Sequence, residues 1–254
     1  MATKKKQADI DVAEIKQGII TFCMVGVTPL ILNSMSAKAK QTLLLPEAHR
    51  RKTEAERARA PKHDPIREYR ESMYYTRGGD TRLCIPAPAF KGAIMTAALR
   101  MSGQTKTAVG QLTWVQSTHV PVYGIPRMLM SVVRSADQAR TPDVRTRAII
   151  PEWACTVSIS FVEPNLSAGV MAGLMHSAGL IAGVGDFRQE KTKGNYGQWR
   201  LCAETDAEYR RIKKAGGAAA QRAAIETPEY YDDETKTLYE WFAETSTADL
   251  GVAA

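Results

Sequence analysis

Trp153-Ala154-Cys155-Thr156-Val157-Ser158-Ile159-Ser160-Phe161-Val162 alternates apolar and hydroxyl side chains from Cys155 to Phe161. A period of two puts Cys155, Val157, Ile159 and Phe161 on one face, so the segment reads as a strand with one face buried. Downstream, Asn165 or Ser167 can cap a helix running to about Leu180, in which Val170/Leu174 and Met171/Met175 repeat at helical spacing. A glycine-rich basic loop over 183–197 leads to a last short strand over 199–203. Upstream, residues 128–133 are apolar and β-compatible up to Arg134, and a polar connection over 135–146 leads into Ala148-Ile149-Ile150.

Farther upstream, residues 19–27 read as a buried strand ended by Thr28-Pro29. Leu83-Cys84-Ile85-Pro86 is a short strand-like piece. Pro88 in a first turn and Gly103 beyond the end frame a helix over about 88–100. Residues 104–126 give no firm assignment. The order strand, helix, strand, strand, helix, strand is the split βαβ or ferredoxin-like pattern, so the expected class is α+β with a βαββαβ core. Two helical stretches follow, 207–225 and 233–244, with Gly216-Gly217 weakening the first in its middle.

At 254 residues the chain can bury a substantial core, and 44% hydrophobic with 24% charged residues argues against collagen-like, disordered and membrane-spanning classes. The apolar run over 19–32 is interrupted by Thr21, Thr28 and Pro29 and falls short of a bilayer span. No signal-peptide core follows the basic start, so a cytoplasmic protein without membrane contact is expected. The four cysteines (Cys23, Cys84, Cys155 and Cys202) are far apart with no CxxC spacing, which predicts buried free thiols and no metal site. The expected organisation is a basic arm over 1–15, a core over 16–204 with a surface insertion over 34–82, and a helical acidic extension over 205–254. A charged helix is expected over 47–60, ended by Pro61.

Charge is divided. The whole chain carries +7, while residues 226–254 hold eight acids against Lys236, a net of −7, which leaves +14 on residues 1–225. A body this basic points toward a polyanion, with the acidic tail as a competitor for the same surface. The loop from Gly183 to Arg200 combines four glycines, four bases and three aromatic rings. Glycines let backbone N–H groups approach a phosphate chain, bases neutralise it, and rings stack on unpaired bases. Gly183, Gly185, Arg188, Lys191, Lys193 and Tyr196 are therefore candidate nucleic-acid contacts. Arg134, Arg140, Arg145 and Arg147 flank the hairpin-like connection and can reach along phosphates, and Lys91 lies near the start of its helix, where N–H donors can help hold phosphate.

Ile85-Pro86-Ala87-Pro88-Ala89-Phe90-Lys91-Gly92-Ala93 resembles the "IPGSSLKGALR" segment that opens the first helix of the RAMP superfamily, the RNA-binding proteins of CRISPR effector complexes. Thr28-Pro29-Leu30 after the first strand and the late glycine loop (Gly183, Gly185, Gly194, Tyr196, Gly197) are similar to the family in the same order. Ala87 replaces the usual glycine, and Pro88-Ala89 replaces the small polar pair. The resemblance implies an RRM-like palm, a thumb corresponding to 134–147, fingers corresponding to 34–82, and subunits that self-associate along single-stranded RNA with other effector-complex subunits as partners. The stretch Pro142 to Arg147 with Pro151-Glu152-Trp153, and the Gly-Asp-Phe-Arg loop, also resemble phage-borne relatives, which implies a stand-alone role.

Some RAMP subunits cut RNA with an aspartate just after the first strand, but residues 33–46 contain no acid. His49 and His63 lie in the basic insertion without a recognisable partner, and no P-loop, HExxH or Gly-x-Ser-x-Gly pattern occurs. The expectation is a non-catalytic protein, without cofactor, that binds single-stranded RNA or DNA. The alternatives are a metal-independent ribonuclease using one of these histidines, and a decoy subunit that acts on an effector complex.

Overall fold

In a computed structural model, which describes residues 14–45, 62–100, 103, 105–134, 142–191 and 193–250, the alternating segment forms β8 (Ala154–Glu163). Elements are numbered in chain order. β1 (Lys16–Gly26) pairs antiparallel with β8 along nearly its whole length, from Lys16 opposite Glu163 to Val25 opposite Ala154. On its other side β8 meets β4 (Thr113–Val115) and β5 (His119–Tyr123). β3 (Cys84–Pro86) lies outside β5, and β9 (Trp199–Cys202) lies outside β1. The order is β3-β5-β8-β1-β9. The chain is thus of mixed α+β class, with antiparallel sheets.

Two helices cover one face of this sheet, α3 (Ala87–Ala97) and α5 (Ala168–Ile181), and they pack on each other. Their Phe90, Ile94, Met171, Leu174, Met175 and Ala178 join Met24, Cys155, Val157, Ile159 and Phe161 in one buried cluster. Full burial of each large apolar side chain contributes about 1.5–3 kcal/mol. Ser167 is the helix cap of α5, its hydroxyl accepting from the Val170 N–H at 3.3 Å. The close fit of α5 to β9 requires Gly179, where a Cβ would come within 2.3 Å of the Trp199 carbonyl oxygen.

A second sheet, in the order β2-β7-β6, is built from β2 (Leu30–Leu32), β7 (Pro142–Ile150) and β6 (Arg127–Arg134). This corrects the strand expected at 128–133. It forms, but it pairs with β7 in the second sheet, and the strand that follows α3 in the first sheet comes from residues 113–123, which carry little local signal. The polar connection is also shorter than expected, because β7 begins at Pro142 opposite Arg134.

The stretch expected to be a surface insertion is seated in the core over part of its length. It contains α1 (Ala37–Leu44) and α2 (Pro65–Glu71). Tyr69 and Met73 are buried, with the Tyr69 hydroxyl 3.2 Å from the Pro126 carbonyl and 3.1 Å from the Ala224 carbonyl. Ser72 continues the sheet edge where β2 stops, its hydroxyl accepting from the Ala148 N–H at 2.8 Å. The charged helix expected over 47–60 and the arm over 1–13 lie outside the described residues.

After the short α4 (Lys106–Leu112) and the first sheet, three helices close the chain: α6 (Ala207–Ala215), α7 (Ala218–Glu226) and α8 (Asp233–Leu250). The expected 207–225 helix is split at Gly216-Gly217, where the Gly216 carbonyl accepts from the Gly124 N–H at 3.0 Å and a Cβ on Gly216 would reach within 2.2 Å of that nitrogen. Buried Gln221 on α7 ties the extension to the sheet edge. Its amide oxygen accepts from the Arg82 and Leu83 N–H groups at 2.7 and 3.1 Å, and its amide nitrogen meets the Val122, Gly124 and Gly216 carbonyls at 2.8, 3.1 and 3.0 Å. The cysteines differ from expectation as well: Cys84 and Cys155 are buried, whereas Cys23 and Cys202 are half-buried.

Candidate nucleic-acid interface

Alternation along the β6–β7 hairpin sends Met128, Met130, Ala148 and Ile150 into the main core and Leu129 and Ile149 to the opposite face. On that second face Leu129, Ile149 and Ile31 form a small apolar cluster against which Tyr196 and Tyr231 pack. Arg147 and Arg145 share the parity of Ile149, so the same face becomes cationic toward the hairpin tip. Arg145 and Arg134 are exposed, and Arg140 lies outside the described residues.

The glycine-rich loop lies on this face. Gly183, Gly185 and Gly197 take φ of 69°, 83° and 72°, the left-handed region that favours glycine. At Gly185 a Cβ would stand 2.5 Å from the Ile31 carbonyl oxygen. The loop's N–H groups are used internally: Gly183 donates to Ala178, Val184 to Gly197, Asp186 to Ile31, and Gly197 to Pro29. This corrects the role expected of Gly183 and Gly185, which hold the loop against β2 and the end of α5 instead of opening their neighbourhood to phosphate.

Arg147 is corrected in the same way. Its side chain is only 9% exposed, with Nη1 2.5 Å from the Asp186 carboxylate and Nη2 donating to the Ser131 hydroxyl at 3.0 Å. Its Nε has no partner among the described residues. Asp186 also accepts from the Asn33 side-chain amide at 3.0 Å. Arg147 therefore fastens the loop to the hairpin. The neighbouring Arg188 turns inward as well, donating to the Gly185 carbonyl at 2.9 Å and to Glu190 at 3.3 Å. Burial would lift the Glu190 carboxyl, but hydrogen bonds from Thr96 on α3 and from Arg188 outweigh it and hold the group below its ordinary range.

Lys191 and Lys193 project into solvent. Tyr196 is half-buried, with its ring centroid 5.9 Å from that of Phe187. Phe187 was passed over as a site residue, yet it is 45% exposed and has a φ of 52°, rare for a residue with a side chain. Strain of this kind is retained at functional positions. Asp186 was also missed, and its only local signal is a carboxylate inside a basic loop. Lys91 is half-buried and is the fifth residue of α3, one turn beyond the free N–H groups expected to assist it.

The acidic extension borders the same face. The Met128 N–H donates to the Glu229 carbonyl at 2.8 Å, the Tyr231 N–H to the Met128 carbonyl at 2.9 Å, and the Met130 N–H to the Thr235 hydroxyl at 3.2 Å. The free edge of β6 is thereby occupied. Glu229 stands 3.3 Å from Arg127. Burial first, then the nearby Tyr196 and Asp232, push the Tyr231 hydroxyl above its ordinary range.

His63 stands at the edge of β7, with Nδ1 2.9 Å from Glu68 and Nε2 3.2 Å from Asp143. A hydrogen bond from Lys62 at 2.6 Å is the main reason the Asp143 carboxyl lies below its ordinary range. Both ring nitrogens are thus engaged by carboxylates. His49 is outside the described residues. Among the described residues no helix is long and apolar enough to cross a membrane.

No protein-family model and no curated protein matches the chain. Among solved structures, it is similar to a chain of a cryo-EM structure of the Type III-B Cmr-beta bound to cognate target RNA, at 14% identity and a TM-score of 0.38. That match covers 74% of this chain and 60% of the other.

Proposed function

We propose that this chain binds single-stranded nucleic acid, RNA in preference to DNA, without cutting it, on the face shared by the β6–β7 hairpin and the glycine-rich loop. The observation that carries the proposal is the Arg147–Asp186 pair, which joins two segments singled out separately in the sequence into one surface. Exposed Lys191, Lys193, Arg134 and Arg145 supply charge on it, and Phe187 with Tyr196 supplies ring surface. The strand order β5-β8-β1-β9, with α3 and α5 on one face, supports a ferredoxin-like core. Together with the Ile85 to Ala93 and glycine-loop similarities, it supports a RAMP-like protein that self-associates along its strand in the cytoplasm. The engagement of both His63 nitrogens favours binding over a histidine ribonuclease.

Anisotropy titrations of labelled single-stranded RNA at several salt concentrations test this. The Lys191→Ala/Lys193→Ala double variant is expected to bind on the order of tenfold or more weakly and to lower the slope of log K against log salt by about 2. Absence of binding at low salt, or salt-independent binding, rejects the proposal. Glu229→Gln, which releases Arg127, is expected to tighten binding several-fold in the same assay. Unchanged affinity would remove the tail from the interface.

A further inference from the structure

Cys23 and Cys202 stand directly opposite each other on the antiparallel strands β1 and β9. In the same register the Val27 N–H donates to the Gln198 carbonyl at 2.8 Å. Hydrogen-bonded positions alternate, so 27, 25 and 23 are the bonded ones. Opposed residues at bonded positions have Cα atoms about 5.5 Å apart, inside the roughly 4.4–6.8 Å that disulfides span. Both side chains pack on one patch, formed by Val25, Tyr123, Ala154, Tyr209 and Ile212, on the face of the sheet away from α3 and α5. Both are reachable from solvent, unlike Cys84 and Cys155, each 0% exposed.

We infer that Cys23 and Cys202 form a reversible dithiol–disulfide site whose oxidant is a small dialkyl disulfide such as oxidised glutathione. The Cys23 thiolate attacks one glutathione sulfur, the glutathione disulfide bond breaks, and one glutathione leaves as thiolate. Cys202 then attacks the Cys23 sulfur of the mixed disulfide and expels the second glutathione. The two protons lost by the cysteines end on the two glutathione thiols, so the protein is oxidised by two electrons and glutathione disulfide is reduced by the same two. Burial, then the nearby Asp206, push the Cys202 thiol up to about 11, which suits it to the second, intramolecular step. The bond ties β9, the strand that leaves the glycine-rich loop, covalently to β1.

The native full chain is incubated with oxidised glutathione, quenched with iodoacetamide and read by intact mass and peptide mapping. The expected result is loss of two alkylatable thiols, a mass lower by two hydrogens before alkylation, and a linked peptide pair carrying Cys23 and Cys202. Cys202→Ser is expected to stop at one glutathione on Cys23. Four alkylatable thiols in the wild type after prolonged incubation, or a link through Cys84 or Cys155, overturns the inference. The wild-type readout does not depend on how well either variant folds or on nucleic-acid binding.

Discussion

Asp186→Ala is expected to destabilise the protein by about 3 kcal/mol, the lower part of the range for breaking a buried ion pair. The two ends of the pair differ in exposure: the Arg147 side chain is 9% exposed and Asp186 29%. Removing the carboxylate leaves the guanidinium buried with Ser131 as its remaining partner, and also frees the Asn33 amide. At about 2–4 °C per kcal/mol for a chain of this size, the melting temperature should fall by roughly 6–12 °C. The Arg147→Met/Asp186→Ala double variant should recover part of that loss, because an apolar side chain of similar length removes the stranded charge. RNA affinity should stay low in both, since neither holds the loop against the hairpin. Calorimetric melting of the three proteins decides it. A single variant that melts with the wild type would mean that the loop is seated by its backbone bonds to Ile31 and Pro29.

The parts legible in the sequence are those set by near neighbours. The alternation from Cys155 to Phe161, the Ser167 cap and the break at Gly216-Gly217 are each decided within a few residues, and each is present in the fold. β5 was not legible, because it is five residues long with Pro121 in its middle and exposed His119 at its start. Residues 128–133 announce a strand but not its partner, and pairing with β7 instead of β8 is a decision of the whole chain. The site shows the same division. Its segments were identifiable by charge and glycine content, but Arg145 and Arg147 look alike in sequence and differ only because Asp186 meets one of them. Likewise, Cys23 and Cys202 are 179 positions apart in the sequence, and only the β1–β9 register makes them neighbours.

Gln221→Leu tests the tertiary decision that places the C-terminal helices. Gln221 has no exposed surface, and one side chain serves two backbone donors and three carbonyl acceptors drawn from the Arg82-Leu83 segment, the end of β5 and the α6–α7 junction. Leucine has nearly the same volume, so packing is kept and the loss is polar. Each buried backbone group left without a partner costs about 1–3 kcal/mol. Water can reach the half-buried Arg82 but not buried Leu83. A total loss of about 3–5 kcal/mol is expected, at the extreme of what single substitutions cause. Gln221→Glu separates the two halves of the network: its carboxylate still accepts from Arg82 and Leu83 but faces the carbonyls of Val122, Gly124 and Gly216 without a proton to give. Its stability should therefore improve as pH falls through the raised pKa of that carboxyl, whereas Gln221→Leu should show no such dependence. Urea unfolding at several pH values reads both effects. A midpoint for Gln221→Leu within about 0.5 kcal/mol of wild type, the usual scale of a surface substitution, would show that α7 is held by Tyr69 and the Gly124–Gly216 bond instead.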